Sequence, residues 1–69
     1  MLSLEEFEKE IVKFLESKGG KAPLILIAKN FGWTVDGKEK IYDVVADMQR
    51  KEMIDIRKNS FGIDIIYLK

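Results

Sequence analysis

The sequence has 69 residues and contains no cysteine, no histidine and only one proline. The absence of cysteine excludes a disulfide scaffold and a thiol nucleophile, and the absence of both residue types excludes nearly every zinc site. A chain this short, without disulfides or a structural metal, must be stabilised by the packing of its core alone. We therefore predict a single small domain over residues 1–69, without a cofactor, that depends on an apolar core.

Neither sign of charge is in excess, because twelve Lys and Arg side chains balance twelve Asp and Glu side chains. Proteins that bind nucleic acids normally carry a basic excess, so this balance argues against a strong interaction with phosphates. The charges are nevertheless unevenly distributed. Residues 1–17 carry five acidic and two basic groups, whereas residues 18–69 carry seven acidic and ten basic groups. This asymmetry suits a surface in the later part of the chain that faces phosphates.

Long apolar runs are also missing. The longest spans residues 24–28, far below the ~20 residues of a membrane helix. The N-terminus lacks the basic flank and apolar stretch of a signal peptide, so we expect a cytoplasmic protein without membrane contact. Lysine outnumbers arginine ten to two and glutamate is frequent. Heat-adapted proteins show this composition, although AT-rich coding produces the same bias.

The first predicted helix begins at Ser3 and ends at the glycines 19 and 20. Ser3 and Glu6 have the spacing of a capping box, in which a hydroxyl and a carboxylate bind backbone N–H groups of the first turn. Glycine adopts the left-handed conformation that commonly ends a helix. The glutamates of this helix are expected to form a solvent-exposed face. Apolar side chains recur at helical spacing: Leu4, Phe7, Ile11, Phe14 and Leu15.

Residues 24–31 have two interpretations. Pro23 before them and Gly32 after them favour a short helix, because proline is common in a first helical turn. The run of apolar residues 24–27 also fits a buried strand, and periodicity cannot separate the two over so few residues. We favour the helix because residues 28–30 are poor strand formers.

A third helix is predicted from Asp36 to about Lys51. Asp36 and Glu39 have the spacing of a second capping box. The apolar side chains that follow recur at helical spacing and should face the core. They are Ile41, Val44, Val45 and Met48.

Beyond this helix, apolar residues recur every 2 residues along the chain, whereas in the helix they recur about every 3.6. Two alternating runs flank a loop at residues 58–62, which predicts a β-hairpin. Asp55 and Arg57 of its first strand are expected to face Asp64 of its second strand across the outer side of the hairpin.

Self-association of the chain depends on which side chains of the second strand point away from the core. If Ile63, Ile65 and Tyr67 face the core, Ile66 and Leu68 face outward beside an edge strand and invite pairing with a second copy. Val12, on the outer side of the first helix, is a third candidate dimer contact. The alternative is a strand end that packs over the core.

The order of three helices and a hairpin, together with several local patterns, resembles the winged helix-turn-helix superfamily of DNA-binding domains. Residues 27–34 are similar to that family's second helix and turn, with an apolar residue on each side of Gly32. Met53 and Ile54 resemble the entry to the first wing strand, and residues 61–67 resemble the wing and its return. The resemblance implies an α+β fold in which a three-helix bundle carries a C-terminal β-hairpin wing.

Two positions depart from the family's pattern. The third helix starts about three residues later than the commonest spacing after Gly32, which lengthens the turn. Glu52 stands where many members have glycine. Both departures affect how the third helix would dock on DNA. Trp33, after the turn glycine, is expected in the core, whereas Tyr42 fits a packed position and an exposed contact equally well.

By resemblance, the outer face of the third helix enters the major groove of double-stranded DNA and the wing contacts the backbone or the minor groove. Lysine and arginine side chains neutralise phosphates there, and polar side chains read base edges. The wing residues also fit an ordinary solvated turn. The positions that match the family's contacts are Lys38, Lys40, Tyr42, Asp43, Arg57, Lys58, Asn59 and Ser60.

Two functions follow from these observations. The first is a DNA-binding transcriptional regulator or DNA-associated accessory factor, for which residues 36–69 must form one cationic surface. The second is a winged-helix protein-interaction module in a larger assembly, which the zero net charge and the acidic residues of the third helix favour. We expect no enzymatic activity and no small-molecule substrate, because no nucleophile and base can be assembled.

Overall fold

The computed structural model describes residues 3–35 and 39–69. Within these ranges the chain has an α+β fold with three helices, an antiparallel three-stranded sheet and a separate two-stranded ladder. The helices are α1 (Leu4–Ser17), α2 (Leu24–Phe31) and α3 (Ile41–Arg50). The strands are β1 (Lys21–Pro23), β2 (Thr34–Val35), β3 (Glu39–Lys40), β4 (Ile54–Lys58) and β5 (Asp64–Leu68).

Helix α1 confirms the predicted boundaries. The Ser3 hydroxyl accepts a hydrogen bond from the Glu6 backbone N–H at 3.2 Å and donates one to the Glu6 carboxylate at 3.1 Å. The helix ends where the Gly20 N–H binds the Leu15 carbonyl at 2.8 Å. Gly19 has a φ of 81° there, the left-handed conformation that glycine adopts without strain.

The helical interpretation of residues 24–31 is confirmed by α2, which starts directly after Pro23 and ends at Gly32. The preceding strand β1 was not predicted. It has only three residues, too few for an alternating pattern, and it ends in Pro23, which is also the N-cap of α2. β1 pairs with β5, so it ties the connection between α1 and α2 to the C-terminal hairpin.

The predicted hairpin is confirmed by β4 and β5, but the predicted facing of β5 is wrong. Strand β5 lies between β1 and β4, and Ile66 stands opposite Ala22 on one side and Ile56 on the other. Ile66 is fully buried in the core, and Leu68 on the same face packs against it. Apolar residues occupy both faces of this strand, so the alternation alone could not fix which face is buried.

The predicted start of the third helix is also wrong. Helix α3 begins at Ile41, with Lys40 as its N-cap, and Glu39 lies in β3. The ladder of β2 and β3 precedes the helix, and the Ile41 N–H binds the Trp33 carbonyl at 2.8 Å. Asp36 itself lies outside the described residues. The predicted end is confirmed, because Lys51 caps the helix.

The core lies between the three helices and one face of the sheet. This arrangement is the usual one for helices on one side of an antiparallel sheet. The apolar stripe predicted for α3 is confirmed, since all four of its members are buried. The largest fully buried side chains are Ile11, Leu15, Ile27, Ile41, Val44, Val45, Met48, Ile54 and Ile66.

Candidate interaction surfaces

The outer side of α3 is exposed to solvent, as predicted. Tyr42 is 50% exposed, and Asp43 and Lys40 are exposed as well. Lys38, the remaining candidate in this region, lies outside the described residues.

A groove of about 340 Å³ separates the start of α1 from α3. Leu4 and Val44 supply its apolar lining, and its charged lining is mainly acidic. The charged lining residues are Glu39, Asp43, Asp47 and Arg50. Three carboxylates against one guanidinium repel a phosphate backbone, so this side of α3 is poorly suited to lie against DNA.

An ion-pair network joins α1 to the end of α3. The Lys51 ammonium binds both carboxylate oxygens of Glu8 at 3.1 Å and the Asp47 carboxylate at 3.1 Å. Arg50 binds Asp47 from the other side, also at 3.1 Å. The hydrogen bonds to Glu8 and Asp47 raise the pKa of Lys51. The hydrogen bonds from Arg50 and Lys51 lower the pKa of Asp47.

Glu8 contradicts the expectation that the glutamates of α1 form a solvent-exposed face. It is only 3% exposed and lies within the buried stripe of the helix. The spacing of Leu4, Glu8, Ile11 and Leu15 was the signal that could have located it, because these positions share one helical face. A buried carboxylate needs a charged partner, and Lys51 provides it.

The turn between β4 and β5 is held by the side chain of Asn59. Its amide oxygen accepts hydrogen bonds from the backbone N–H groups of Phe61 at 2.8 Å and Ile63 at 3.0 Å. Gly62 takes a φ of 79°, which permits the tight reversal. Asn59 and Ser60 are exposed. The turn is therefore an ordered projection, and the Asn59 side-chain oxygen is already engaged within the chain.

The cations of the hairpin are paired with acids. Arg57 binds Asp55 on its own strand at 2.7 Å and lies 5.6 Å from the centre of the Tyr67 ring. The Arg57 hydrogen bond lowers the pKa of Asp55, and the same bond raises the pKa of Arg57. Across the strands, Asp64 pairs with Lys58 at 3.4 Å, whereas it was expected to face Asp55 and Arg57.

The predicted cationic surface over residues 36–69 is not found among the described residues. Four of its basic side chains, Arg50, Lys51, Arg57 and Lys58, have acidic partners within 4 Å. Asp47 and Asp55 lie two to four residues from the cations they bind, Asp64 lies opposite Lys58 on the neighbouring strand, and Glu8 reaches Lys51 from α1. In total, seven acidic residues accompany the seven basic ones of this segment. The positive excess counted over residues 18–69 comes from the lysines at 18, 21 and 29.

Several large apolar side chains are exposed, three of them within residues 36–69, where cations were expected to dominate. Phe61, at the tip of the β4–β5 turn, is 85% exposed. Trp33 is 57% exposed, which contradicts its expected place in the core, because the chain turns into β2 after Gly32. The remaining members are Leu4, Ile25, Tyr42 and Ile63.

The predicted dimer contacts are not on this exposed apolar surface. Ile66 is fully buried, so its side chain is not available to a partner. Val12 and Leu68 are partly buried and pack against the core. Of the residues expected to face inward, Ile63 is 45% exposed, and Ile65 and Tyr67 are only partly buried.

Comparison with known proteins adds no relative, because no family model, no curated protein and no solved structure matches this chain. Within residues 3–35 and 39–69, no three His, Cys, Asp or Glu side chains are grouped to hold a metal ion. None of the helices in these same ranges has the length and apolarity needed to cross a membrane.

Proposed function

We propose that the chain is a winged-helix domain that serves as a protein-interaction module in a larger assembly. The order of α1, α2 and α3 followed by the β4–β5 hairpin supports the winged-helix assignment. The antiparallel sheet in the order β1-β5-β4, with the helices packed on one face, is compatible with it. In this assignment the β4–β5 turn is the wing and α3 is the helix that DNA-binding members of the superfamily insert into the major groove.

One observation carries the choice of a protein partner. The basic side chains of α3 and the wing are paired with acids, while Trp33, Tyr42 and Phe61 expose half or more of their surface. Aromatic side chains are enriched in protein interfaces and dominate their binding energy, whereas DNA interfaces are strongly positive.

The experiment is an affinity capture from a nuclease-treated extract of the cells that express the protein, followed by reconstitution with the purified partner. The Phe61→Ser and Trp33→Ser variants should each weaken the reconstituted complex at least about tenfold, because truncating an aromatic at the centre of an interface costs this much or more. Lys29→Ser, an exposed change on α2, is the matched control and should leave the affinity unchanged. A captured protein that binds both aromatic variants as tightly as the parent would overturn the proposal.

DNA binding is the second candidate, and the exposure of the start of α3 and of the wing favours it. Lys40, Tyr42 and Asp43 stand at the N-terminal end of α3, the part of a recognition helix that contacts base edges. The ion pairs of Arg57 and Lys58 lie at the surface, where such pairs are weak enough to open toward a phosphate.

A salt series with a generic DNA duplex separates the two candidates. DNA binding requires an affinity that falls linearly on a log–log plot against salt concentration. Charge reversal in Arg57→Glu and Lys58→Glu should then weaken the complex with DNA by the same factor for duplexes of different base sequence. If no complex forms at ~50 mM salt, the protein-interaction role remains.

A further inference from the structure

The groove between the start of α1 and α3 carries two carboxylates that no described cation pairs with. Glu39 and Asp43 line the groove and are exposed. No Lys or Arg side chain of residues 3–35 and 39–69 lies within 4 Å of either carboxylate. Asp47 also lines the groove, but Arg50 and Lys51 each bind one of its oxygens at 3.1 Å. The negative charge available to a partner is therefore that of Glu39 and Asp43.

The groove also offers an apolar contact, and its size limits what can enter. Leu4, in the first turn of α1, is 38% exposed, whereas Val44 on the side of α3 is 2% exposed. Leu4 is therefore the apolar side chain that a partner can reach. The volume of about 340 Å³ is at the lower end of the range of roughly 300–1,000 Å³ for binding pockets. The groove has room for a few side chains of a peptide and not for a folded domain.

The carboxylates of the groove are too dispersed to hold a metal ion. Glu39, Asp43 and Asp47 all line it, yet no three acidic side chains within the described ranges are grouped closely enough to bind one. An ion such as Ca²⁺ needs about six to eight oxygen ligands around one point. Cationic side chains spaced along a peptide need no such convergence, so the arrangement favours a peptide over a metal ion.

The helices that border the groove attract cations as well. Helix α1 contains five glutamates and two lysines, and α3 contains two aspartates and one arginine, so each has a negative net charge. Charge of one sign around a concave site concentrates ligands of the opposite sign. A neutral or acidic segment would take water from Glu39 and Asp43 without providing a partner, which is costly. The chemistry of the groove therefore selects a basic ligand.

We propose that this groove binds a basic peptide segment of a partner protein. The cationic head group of an arginine or lysine binds Glu39 and Asp43. The aliphatic stem of the same side chain packs on Leu4, as the stems of long basic side chains commonly do on apolar surfaces. The inference goes beyond the proposed function, which depends on Trp33 and Phe61, because it assigns a second contact surface with a different chemistry.

The interaction is weak when the peptide is isolated. Ion pairs between exposed groups contribute little, and the small groove adds a limited apolar contact. We expect a dissociation constant on the order of 1 mM, which rises with added salt. In an assembly, the groove and the exposed aromatic side chains contact the same partner, and the linked contacts raise the overall affinity.

The test is a titration of the isotope-labelled chain with short peptides, followed by two-dimensional NMR of the backbone amides. The probe is a hexapeptide, blocked at both ends, in which arginine alternates with serine. The amide signals of Leu4, Asp43 and Val44 should shift and approach saturation at about 10 mM peptide. The same peptide with citrulline in place of arginine keeps the size of the side chain and removes its charge, and it should cause no shifts.

Charge variants locate the binding site. Glu39→Gln/Asp43→Asn removes both unpaired carboxylates and should raise the dissociation constant about tenfold. Glu16→Gln, about 18 Å from Leu4 along α1, is the matched control and should change it less than about twofold. Glu39→Lys/Asp43→Lys reverses the charge and should bind a hexapeptide in which glutamate alternates with serine, which the parent does not bind. Thermal melts check that every variant is folded.

The inference is overturned if the arginine peptide causes no shifts at about 10 mM, or if the citrulline peptide causes the same shifts. Equal effects of Glu16→Gln and of the groove variant would show a general attraction to an acidic helix and no defined site. Shifts of the groove signals with calcium chloride alone at ~1 mM would assign the groove to a metal ion instead. The proposed function has a separate readout, because a chain whose groove binds no peptide but whose complex is weakened by Phe61→Ser keeps its role as an interaction module.

Discussion

The two faces of β5 carry the same kind of side chain and have opposite roles. Ile65 and Ile66 are neighbours in the sequence, yet Ile66 is fully buried between Ala22 and Ile56, whereas Ile65 lies on the opposite face of the sheet and is only partly buried. The inner side chain helps to hold helices and sheet together, and the outer one does not pack against the core. Position relative to the core, and not residue type, decides how much each of these side chains stabilises the fold.

Ion pairs show the same division. Lys51 binds the carboxylate of Glu8, which is 3% exposed, and thereby joins α1 to α3. Lys58 binds Asp64 across the hairpin, where water competes for both groups. A buried carboxylate depends on its partner, whereas a surface pair contributes little to stability. The first pair belongs to the fold, and the second mainly cancels a surface charge.

The largest expected effect compares the two isoleucines directly. Ile66→Ala leaves a cavity in the core and should lower the free energy of unfolding by about 3 kcal/mol. Ile65→Ala removes a partly exposed side chain and should cost less than about 1 kcal/mol. Urea denaturation of both variants measures the difference. Equal costs would contradict the assignment of the inner and outer faces.

The next effect compares the two lysines. Lys51→Met leaves the Glu8 carboxylate buried without a cation and should lower the melting temperature by several degrees. Lys58→Met, the matched change in the hairpin, should leave it nearly unchanged. Thermal unfolding followed by circular dichroism measures both. A loss of similar size in the two variants would show that the Glu8 pair has no special role.

A smaller effect is expected at the turn that leads from α3 into β4. Glu52 has a φ of 62°, the left-handed conformation that glycine tolerates best. Glu52→Gly should raise the free energy of unfolding by about 0.5 kcal/mol, because relief of backbone strain exceeds the entropy that glycine adds to the unfolded chain. Gln49→Gly, inside α3, should instead lower it by about 1 kcal/mol. Destabilisation by both changes would rule out strain at Glu52.

The smallest expected effect is a change in how the melting temperature depends on pH. Hydrogen bonds from Arg50 and Lys51 lower the pKa of Asp47 below its usual 3.8, and Arg57 lowers that of Asp55. A carboxyl group with a lowered folded-state pKa stabilises the fold above its usual pKa, and this contribution is lost as the pH falls through the lowered value. Asp47→Asn and Asp55→Asn should therefore each reduce the drop in melting temperature between neutral pH and about pH 2.5. An unchanged drop in both would contradict these pKa shifts.

The sequence predicted elements whose signals are local. Ser3, Gly20, Pro23 and Gly32 mark the ends of α1 and α2, and each acts through the backbone of its own segment. The facing of β5 could not be predicted in the same way, because apolar residues occupy both of its faces and the choice depends on Ala22, a residue far away in the chain.

The sequence was sufficient to predict where the candidate site lies, but not how its charges are paired. The exposed side of α3 and the wing follow from the elements themselves. The cancellation of Arg57 by Asp55 and of Lys58 by Asp64 depends on register and side-chain geometry, which a count of basic residues does not contain. Glu8 was misjudged for a related reason, since its burial depends on the partner that Lys51 brings from 43 residues away.

The most direct test of the account asks whether these acids prevent DNA binding. Fluorescence anisotropy with a generic duplex at ~50 mM salt compares the parent chain with the double variant Asp55→Asn/Asp64→Asn, which frees Arg57 and Lys58. We expect no measurable complex with the parent. The variant should bind, with a log–log salt slope of about −2 for the two added phosphate contacts. Strong, steeply salt-dependent binding by the parent would contradict the claim that its cations are cancelled.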